Sequence, residues 1–170
     1  LSVPGIYADN DLGTRLALDH LWGLGHRDII CVIDDRMADG PFRASVYERY
    51  LHEHGAADAI RVYRTSQPDS APAFHLGQEL FAGAGGSARP TAIFAASDTI
   101  AIGLLQAAFQ HGIAVPEQLS IVGFDDVDAA TYMIPPLTTV SQRGTEMGAL
   151  AANLILDMIE RTQRVEDVDD

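Results

Sequence analysis

The chain has 170 residues, of which 47% are hydrophobic, and a net charge of −13. Its 11 basic residues are all arginine. Such an acidic chain does not offer the basic face on which nucleic-acid affinity depends, so residues 1–170 are not expected to bind DNA by themselves. The absence of lysine also excludes Schiff-base chemistry and a phosphate-loop lysine.

The length fits one domain or a large part of one. Cys31 is the single cysteine, so no intrachain disulfide forms, which fits a reducing compartment. No apolar run approaches the ~18 residues needed to span a bilayer, and no signal peptide is visible. We therefore expect a cytoplasmic protein.

Helical and strand patterns alternate along the chain. In chain order they predict helix 12–24, strand 29–33, helix 42–54, strand 60–63, helix 73–82, strand 91–95, helix 97–111, strand 120–124, a helical turn 127–132, strand 137–140 and helix 147–159. Alternating units with nearly all-apolar strands predict an α/β fold. This fold has three layers, in which a parallel sheet lies between helices on both of its faces.

The final helix has a wide apolar face, but only strand 137–140 remains to pack against it. Either this helix folds back on the main sheet, or its partner sheet belongs to sequence beyond these 170 residues. The acidic segment after it is predicted to be a solvated tail.

Acidic residues follow a predicted strand at Asp125 and Asp126. Open parallel sheets bind ligands at the carboxyl ends of their strands. An ionised carboxylate accepts hydrogen bonds from two hydroxyl groups at once, which suits a polyhydroxylated ligand. Arg43 begins a helix that opens on the same edge. Because a cation opposes the dipole at a helix N-terminus, Arg43 is predicted to face a ligand or a carboxylate. The alternative is a surface salt bridge.

Other kinds of site are less favoured. Asp34 and Asp35 occupy the place of a phospho-acceptor pair, but the lysine that such a site needs is missing, so a solvated loop or a ligand-cleft rim is preferred. The segment 125–128 lacks companion ligands for a divalent cation, and no metal or cofactor is expected. No nucleophile elbow or defensible catalytic triad occurs, so the chain is not predicted to be an enzyme. An enzyme acting on a sugar or phosphate stays the competing class.

Several motifs together resemble one family. They run in order along nearly the whole chain: Asp9-Asn10 through Leu24-Gly25-His26-Arg27, then Ser97-Asp98 with Ala101 and Gly103, then Leu119-Ser120-Ile121-Val122-Gly123-Phe124-Asp125-Asp126, then Pro135-Pro136-Leu137-Thr138-Thr139-Val140. This set resembles the C-terminal effector subdomain of LacI/GalR-type transcriptional regulators.

The resemblance implies a type I periplasmic-binding-protein-like (Rossmann-like) subdomain. Residues 1–11 would be a crossover segment, 12–136 the C-terminal effector-binding subdomain, 137–162 a crossover strand and helix of an otherwise absent N-terminal subdomain, and 163–170 an acidic tail. The implied function is sensing of a small molecule, expected to be a sugar, within a homodimer. Operator DNA would be bound only by an absent helix-turn-helix head. A periplasmic-type sugar-binding protein of a transport system is the alternative.

The resemblance also assigns residues. Arg43 and Asp125 match the effector-contacting arginine and aspartate of the family, and charge-assisted hydrogen bonds to ligand oxygens are their implied role. Weaker effector-binding candidates are Ser97, Asp39, Asp9, Gln142 and Phe74. The dimer face would include Ile102, Leu105 and Tyr132, for which ordinary core packing is the alternative.

Overall fold

A computed structural model of the protein describes residues 4–66, 69–83 and 89–166, with residues 160–166 described by backbone alone. The chain divides into two compact units. One is Asn10–Ser141, and the other combines Leu1–Asp9 with Gln142–Asp170.

Helices and strands alternate as predicted. Their bounds, in chain order, are α1 Asn10–Gly23, β1 Ile29–Asp34, α2 Asp39–Glu53, β2 Val62–Thr65, α3 Ser70–Phe81, β3 Ala92–Ala95, α4 Asp98–Gln110, β4 Ser120–Asp125, α5 Asp128–Thr131, β5 Thr138–Ser141 and α6 Gly144–Glu166. A short 3₁₀ turn, Ala57–Ala59, precedes β2.

The five strands form one sheet in the order β2-β1-β3-β4-β5, and every neighbouring pair is parallel. The chain moves from β1 outward to β2 and then returns to β3 on the other side of β1. The topological switch point therefore lies between the carboxyl ends of β1 and β3, where open α/β sheets form a ligand crevice.

Helices cover both faces of the sheet, which confirms the predicted three-layer architecture. On one face, α1 and α2 bury Leu18, Leu21 and Tyr47 against alternate strand residues such as Phe94. On the other face, α3 and α4 bury a second cluster around Leu104. Burial from both sides explains why β1 and β3 are apolar at every position but the last residue of β1.

Two helices begin earlier than predicted, for a shared reason. Helix α2 starts at Asp39 and α3 at Ser70, so Pro41 and Pro72 lie inside the first turn of a helix. The missing proline N–H has no intrahelical partner to lose there, so proline is tolerated. The side chain of Asp69 also caps α3 by accepting a hydrogen bond from the Ala71 N–H at 2.8 Å.

Strand β5 corrects one predicted boundary. It pairs with β4, with Thr139 beside Gly123 and Ser141 beside Asp125. The compact unit therefore extends to Ser141, rather than ending at Pro136 as predicted. The ladder hydrogen bonds to β4 decide this, because they attach the short strand to the main sheet.

The second unit contains α6, which continues to Glu166, so the predicted acidic tail 163–170 begins within a helix; residues 167–170 lie outside the described residues. Several large apolar side chains of α6 are exposed: Leu150, Ile155, Leu156, Met158 and Ile159. That α6 belongs to a further subdomain stays a prediction. Among the described residues, no helix is long and apolar enough to cross a membrane.

Candidate functional site

Arg43 lies in the first turns of α2, at the switch point of the sheet, and its side chain is 4% exposed. Its Nε donates a hydrogen bond to Asn10 Oδ1 at 2.8 Å, and its Nη1 donates to the Ala96 carbonyl at 2.6 Å. Asn10 begins α1, and Ala96 directly follows β3. These two segments therefore hold the guanidinium that α2 supplies at the carboxyl edge.

Two carboxylates flank this guanidinium. Asp125 Oδ1 lies 3.5 Å from Nη1, and Asp39 Oδ2 lies 3.6 Å from Nη2. The guanidinium carbon also lies 3.6 Å from the centroid of the Phe124 ring, in cation–π geometry. Burial lowers the pKa of Arg43, while Asp125 and Asp39 act in the opposite direction. The structure therefore brings Arg43, Asp125 and Asp39 together, as three of the predicted site residues.

The backbone at Asp125 is strained. Its φ is +125° and that of Asp126 is +61°, in the region that residues with a Cβ seldom occupy. Each such residue costs roughly 1–3 kcal/mol and persists only where its surroundings enforce it. Simple alternation along β4 would direct Asp125 to the face opposite Phe124. The bend instead accompanies a carboxylate that reaches Arg43, which lies over Phe124 itself.

Asp98 is a buried acidic residue that the sequence analysis did not select as a site residue. It is 0% exposed and begins α4. Its Oδ2 accepts a hydrogen bond from the Val127 N–H at 2.9 Å, and its Oδ1 accepts one from the Thr139 hydroxyl. Burial raises the pKa of Asp98, and the hydrogen bonds partly offset this. Two signals in the sequence point to it: its place shortly after a strand, and the Ser97-Asp98 motif of which it is part.

The acidic pair after β1 divides into two different environments. Asp34 is 4% exposed rather than solvated; its Oδ1 accepts a hydrogen bond from the Arg36 N–H at 2.8 Å. Its Oδ2 is buried without a hydrogen-bond partner in the described part of the chain. Asp35 forms an ion pair with Arg64 and fits the predicted rim. The expectation of a solvated loop is therefore wrong for Asp34, because Asp34 is the last residue of a strand that is buried on both faces.

The arrangement of charged groups at this site suits recognition by hydrogen bonds. The side chains of Asp125 and Asp39 are 28% and 53% exposed, and Asp39 Oδ1 also accepts a hydrogen bond from Asn10 Nδ2 at 3.0 Å. The described residues contain no group of three or more His, Cys, Asp or Glu that would hold a metal ion. Exposed acceptors backed by a buried cation suit a ligand that donates several hydrogen bonds.

A family model described as "Periplasmic binding protein-like domain" matches residues 18–169. The arabinose metabolism transcriptional repressor of Geobacillus stearothermophilus is 35% identical over 164 residues, which cover 95% of this chain and 44% of that protein. The ribose operon repressor of Haemophilus influenzae is 49% identical over 74 residues, covering 44% of this chain and 22% of that protein. The chain belongs to the LacI/GalR family, in its periplasmic binding protein-like domain.

A solved structure of the Lac repressor dimer bound to operator and the anti-inducer ONPF superposes with a TM-score of 0.79 at 25% identity, covering 89% of this chain and 51% of that one. The chain thus spans about half the length, or less, of these relatives. The relatives are transcriptional repressors and not enzymes, in agreement with the sequence-based prediction.

The weaker effector-site candidates of this LacI/GalR domain lie in different places. Ser97 directly follows Ala96, whose carbonyl binds Arg43, and its Oγ caps α4 by accepting from the Ile100 N–H at 3.3 Å. Phe74 lies in α3, which packs on the sheet face opposite α2, and the centroid of its ring lies 5.4 Å from that of the His75 ring. Its role in effector binding stays a prediction.

Asp9 and Gln142 belong to the other compact unit. They are the chain neighbours of Asn10 and Ser141, where the chain enters and leaves the sheet-containing unit. Their role in effector binding stays a prediction.

The three predicted dimer residues differ in exposure. Tyr132 is 80% exposed, and Ile102 is half-buried on α4. Leu105 is 6% exposed and packs in the core cluster beneath α4, so its prediction as a surface anchor is corrected. The solvent face of the helix continues instead to Phe109, one heptad after Ile102 and 81% exposed.

Proposed function

We propose that this chain is the effector-sensing part of a cytoplasmic LacI-type transcriptional regulator, and that its effector is a small polyhydroxylated molecule such as a sugar. Effector binding would alter operator binding by a DNA-binding head located elsewhere in the protein. The observation that carries the proposal is the buried guanidinium of Arg43, held between Asp125 and Asp39 at the switch point of the sheet.

The charges around Arg43 favour an uncharged effector. Its guanidinium already donates to Asn10 and Ala96 and faces two carboxylates. The partly exposed groups beside it are carboxylates, whose oxygens can each accept more than one hydrogen bond, so they suit hydroxyl groups and repel phosphate. A free sugar should therefore bind more tightly than the same sugar carrying a phosphate.

The sugar class is supported further by two relatives. Their names refer to the ribose operon and to arabinose metabolism, both of which concern pentoses. D-ribose and L-arabinose are accordingly the first probes to test. The identity of the sugar depends on exposed loop residues such as Arg36 and Met37, which the framework of the fold does not determine.

A thermal-shift screen of the full-length protein tests the proposal. We expect a neutral mono- or disaccharide to raise the melting temperature, its phosphate ester to have less effect, and the same neutral sugar to change the affinity for a labelled operator. Stabilisation without a change in operator affinity would support the transport-type sugar-binding protein instead. A response to phosphate esters alone would contradict the electrostatic argument.

We also propose that the protein is a homodimer through the solvent face of α4 and the segment around Tyr132. This surface presents three large, exposed apolar side chains, Phe109, Tyr132 and Ile134, at 81%, 80% and 94% exposure. Large aromatic residues commonly supply most of the binding energy at such interfaces. The Lac repressor, with a similar fold, was solved as a dimer.

Replacing Tyr132 with aspartate is expected to raise the dimer dissociation constant at least ~30-fold, because an interface anchor is lost and a charge must be desolvated. Analytical ultracentrifugation of the full-length protein over a range of concentrations measures this. Met37→Asp is the matched control, since Met37 is also exposed but lies on the loop after β1. Equal dissociation constants for wild type and Tyr132→Asp would place the dimer interface elsewhere.

A further inference from the structure

Asp98 makes contacts with parts of the sheet-containing unit that are distant in sequence. Its carboxylate accepts a hydrogen bond from the Val127 N–H at 2.9 Å and another from the Thr139 hydroxyl. The first donor follows β4, and the second belongs to β5. One buried carboxylate therefore ties the start of α4 to the β4–α5 loop and to the last strand of the sheet.

The segment that Asp98 holds is the strained one. Asp125 and Asp126 both have positive φ, and the Val127 N–H, which directly follows this bend, is bonded to Asp98. Strained backbone of this kind requires contacts that enforce it. Hydrogen bonds to a buried, ionised acceptor are among the strongest that a protein supplies.

Gly123 on β4 leaves the space that the Asp98 carboxylate occupies. A Cβ at Gly123 would lie 2.2 Å from Asp98 Oδ1, closer than any real contact. Gly123 is also the ladder partner of Thr139, and Asp125 is the partner of Ser141, the last residue of this unit. The Asp98 carboxylate thus lies where β4 pairs with β5, next to the loop that follows β4.

We propose that Asp98 is a positioning residue: it holds the bend that presents Asp125 to Arg43 and fixes the same bend to β5. Its significance for effector binding rests on the proposed function, whereas its hold on the loop does not. Asp98 is not proposed to touch the effector, because it is fully buried and its oxygens are occupied by protein donors.

Isosteric substitutions separate positioning from space-filling. Asp98→Asn keeps the volume but removes the charge and one acceptor oxygen, so the loop N–H keeps at best a neutral acceptor and the Thr139 hydroxyl must accept instead of donate. Thr139→Val keeps the shape of the side chain and removes its hydroxyl, whereas Thr139→Ser retains the hydroxyl. Ile100→Val, a small deletion in the core face of the same helix, is the control for general loss of stability.

Amide hydrogen exchange of the full-length protein, followed by mass spectrometry, tests the proposal directly. In Asp98→Asn we expect exchange of peptides covering residues 124–130 to accelerate about tenfold or more, since a hydrogen bond to a charged acceptor is lost. Thr139→Val should accelerate the same peptides and Thr139→Ser should restore them, while Ile100→Val should leave them unchanged. If Asp98→Asn does not fold, the comparison of Thr139→Val with Thr139→Ser tests the proposal instead. Unchanged exchange in 124–130 for both Asp98→Asn and Thr139→Val overturns the proposal.

Titration with D-ribose and L-arabinose separates this proposal from the proposed function. If either pentose binds the wild type, Asp98→Asn should weaken its affinity about tenfold or more while Ile100→Val does not. Unchanged affinity despite faster exchange would overturn the positioning role. If neither pentose binds the wild type, the choice of pentose fails, and the exchange data alone confirm or overturn the hold of Asp98 on the loop.

Discussion

Replacement of Arg43 with alanine is expected to weaken effector binding by about 2–4 kcal/mol, roughly 30-fold to 1,000-fold. The reason lies in the groups that the guanidinium serves. Asn10 Oδ1 and the Ala96 carbonyl lose their donor, and Asp125 loses the cation 3.5 Å from its carboxylate. The effector would therefore meet a site whose two carboxylates have lost the cation between them.

Isothermal titration of the full-length protein with its sugar measures this loss. Arg64→Ala is the matched control, because Arg64 lies in the neighbouring strand β2 and its exposed side chain pairs with the exposed Asp35. We expect its effect to stay within about 0.5 kcal/mol. Asp125→Ala should weaken binding by an amount similar to Arg43→Ala, since each removes one member of the pair. Affinity that survives both changes would move the effector site away from this edge.

Among the variants proposed for this protein, Gly103→Ala is expected to lower the free energy of unfolding most, by roughly 1–3 kcal/mol or more. Gly103 lies where α4 crosses α3, and a Cβ there would be 2.2 Å from the Ser70 carbonyl oxygen and 2.8 Å from the Phe74 nitrogen. Both obstacles are backbone atoms, so no rotamer change relieves the overlap. The two helices would have to separate, and the apolar cluster around Leu104 would lose packing.

Denaturant unfolding followed by circular dichroism checks this effect. Gly23→Ala is the control, because Gly23 also ends a helix turn in this unit but has nothing within 4 Å of the position of a Cβ. Alanine there should be neutral or stabilising by up to about 1 kcal/mol, through its higher helix propensity. An equal free energy of unfolding for Gly103→Ala and wild type would show that the helix pair adjusts freely.

The sequence predicts the core residues correctly wherever a strand is buried on both faces. The run Ile29–Ile33 has no alternation, and this pattern alone predicts a strand with helices above and below it. The starts of α2 and α3 were less readable. Pro41 and Pro72 looked like boundaries, because local sequence does not reveal whether a proline occupies the first turn of a helix or ends one.

The pairing of Arg43 with Asp125 was predictable only as far as the edge of the sheet. Both residues follow strand-like runs, so a parallel sheet brings them to the same side. The sequence did not indicate that Asp125 is turned by a positive φ, or that Asp98 holds this turn from beneath. Leu105 shows the same limit, since helical periodicity does not distinguish the face that meets the sheet from one that meets a partner.

The sequence by itself therefore determined the α/β class, the family, and the two charged residues at the crevice. Those features depend on local periodicity and on motifs that are contiguous in the chain. Tertiary structure decided the attachment of β5 to β4, the burial of Asp34 and Asp98, and the direction of the Asp125 carboxylate towards Arg43. Each of these depends on hydrogen bonds and packing between segments distant in sequence, and their geometry exists only once the sheet has formed.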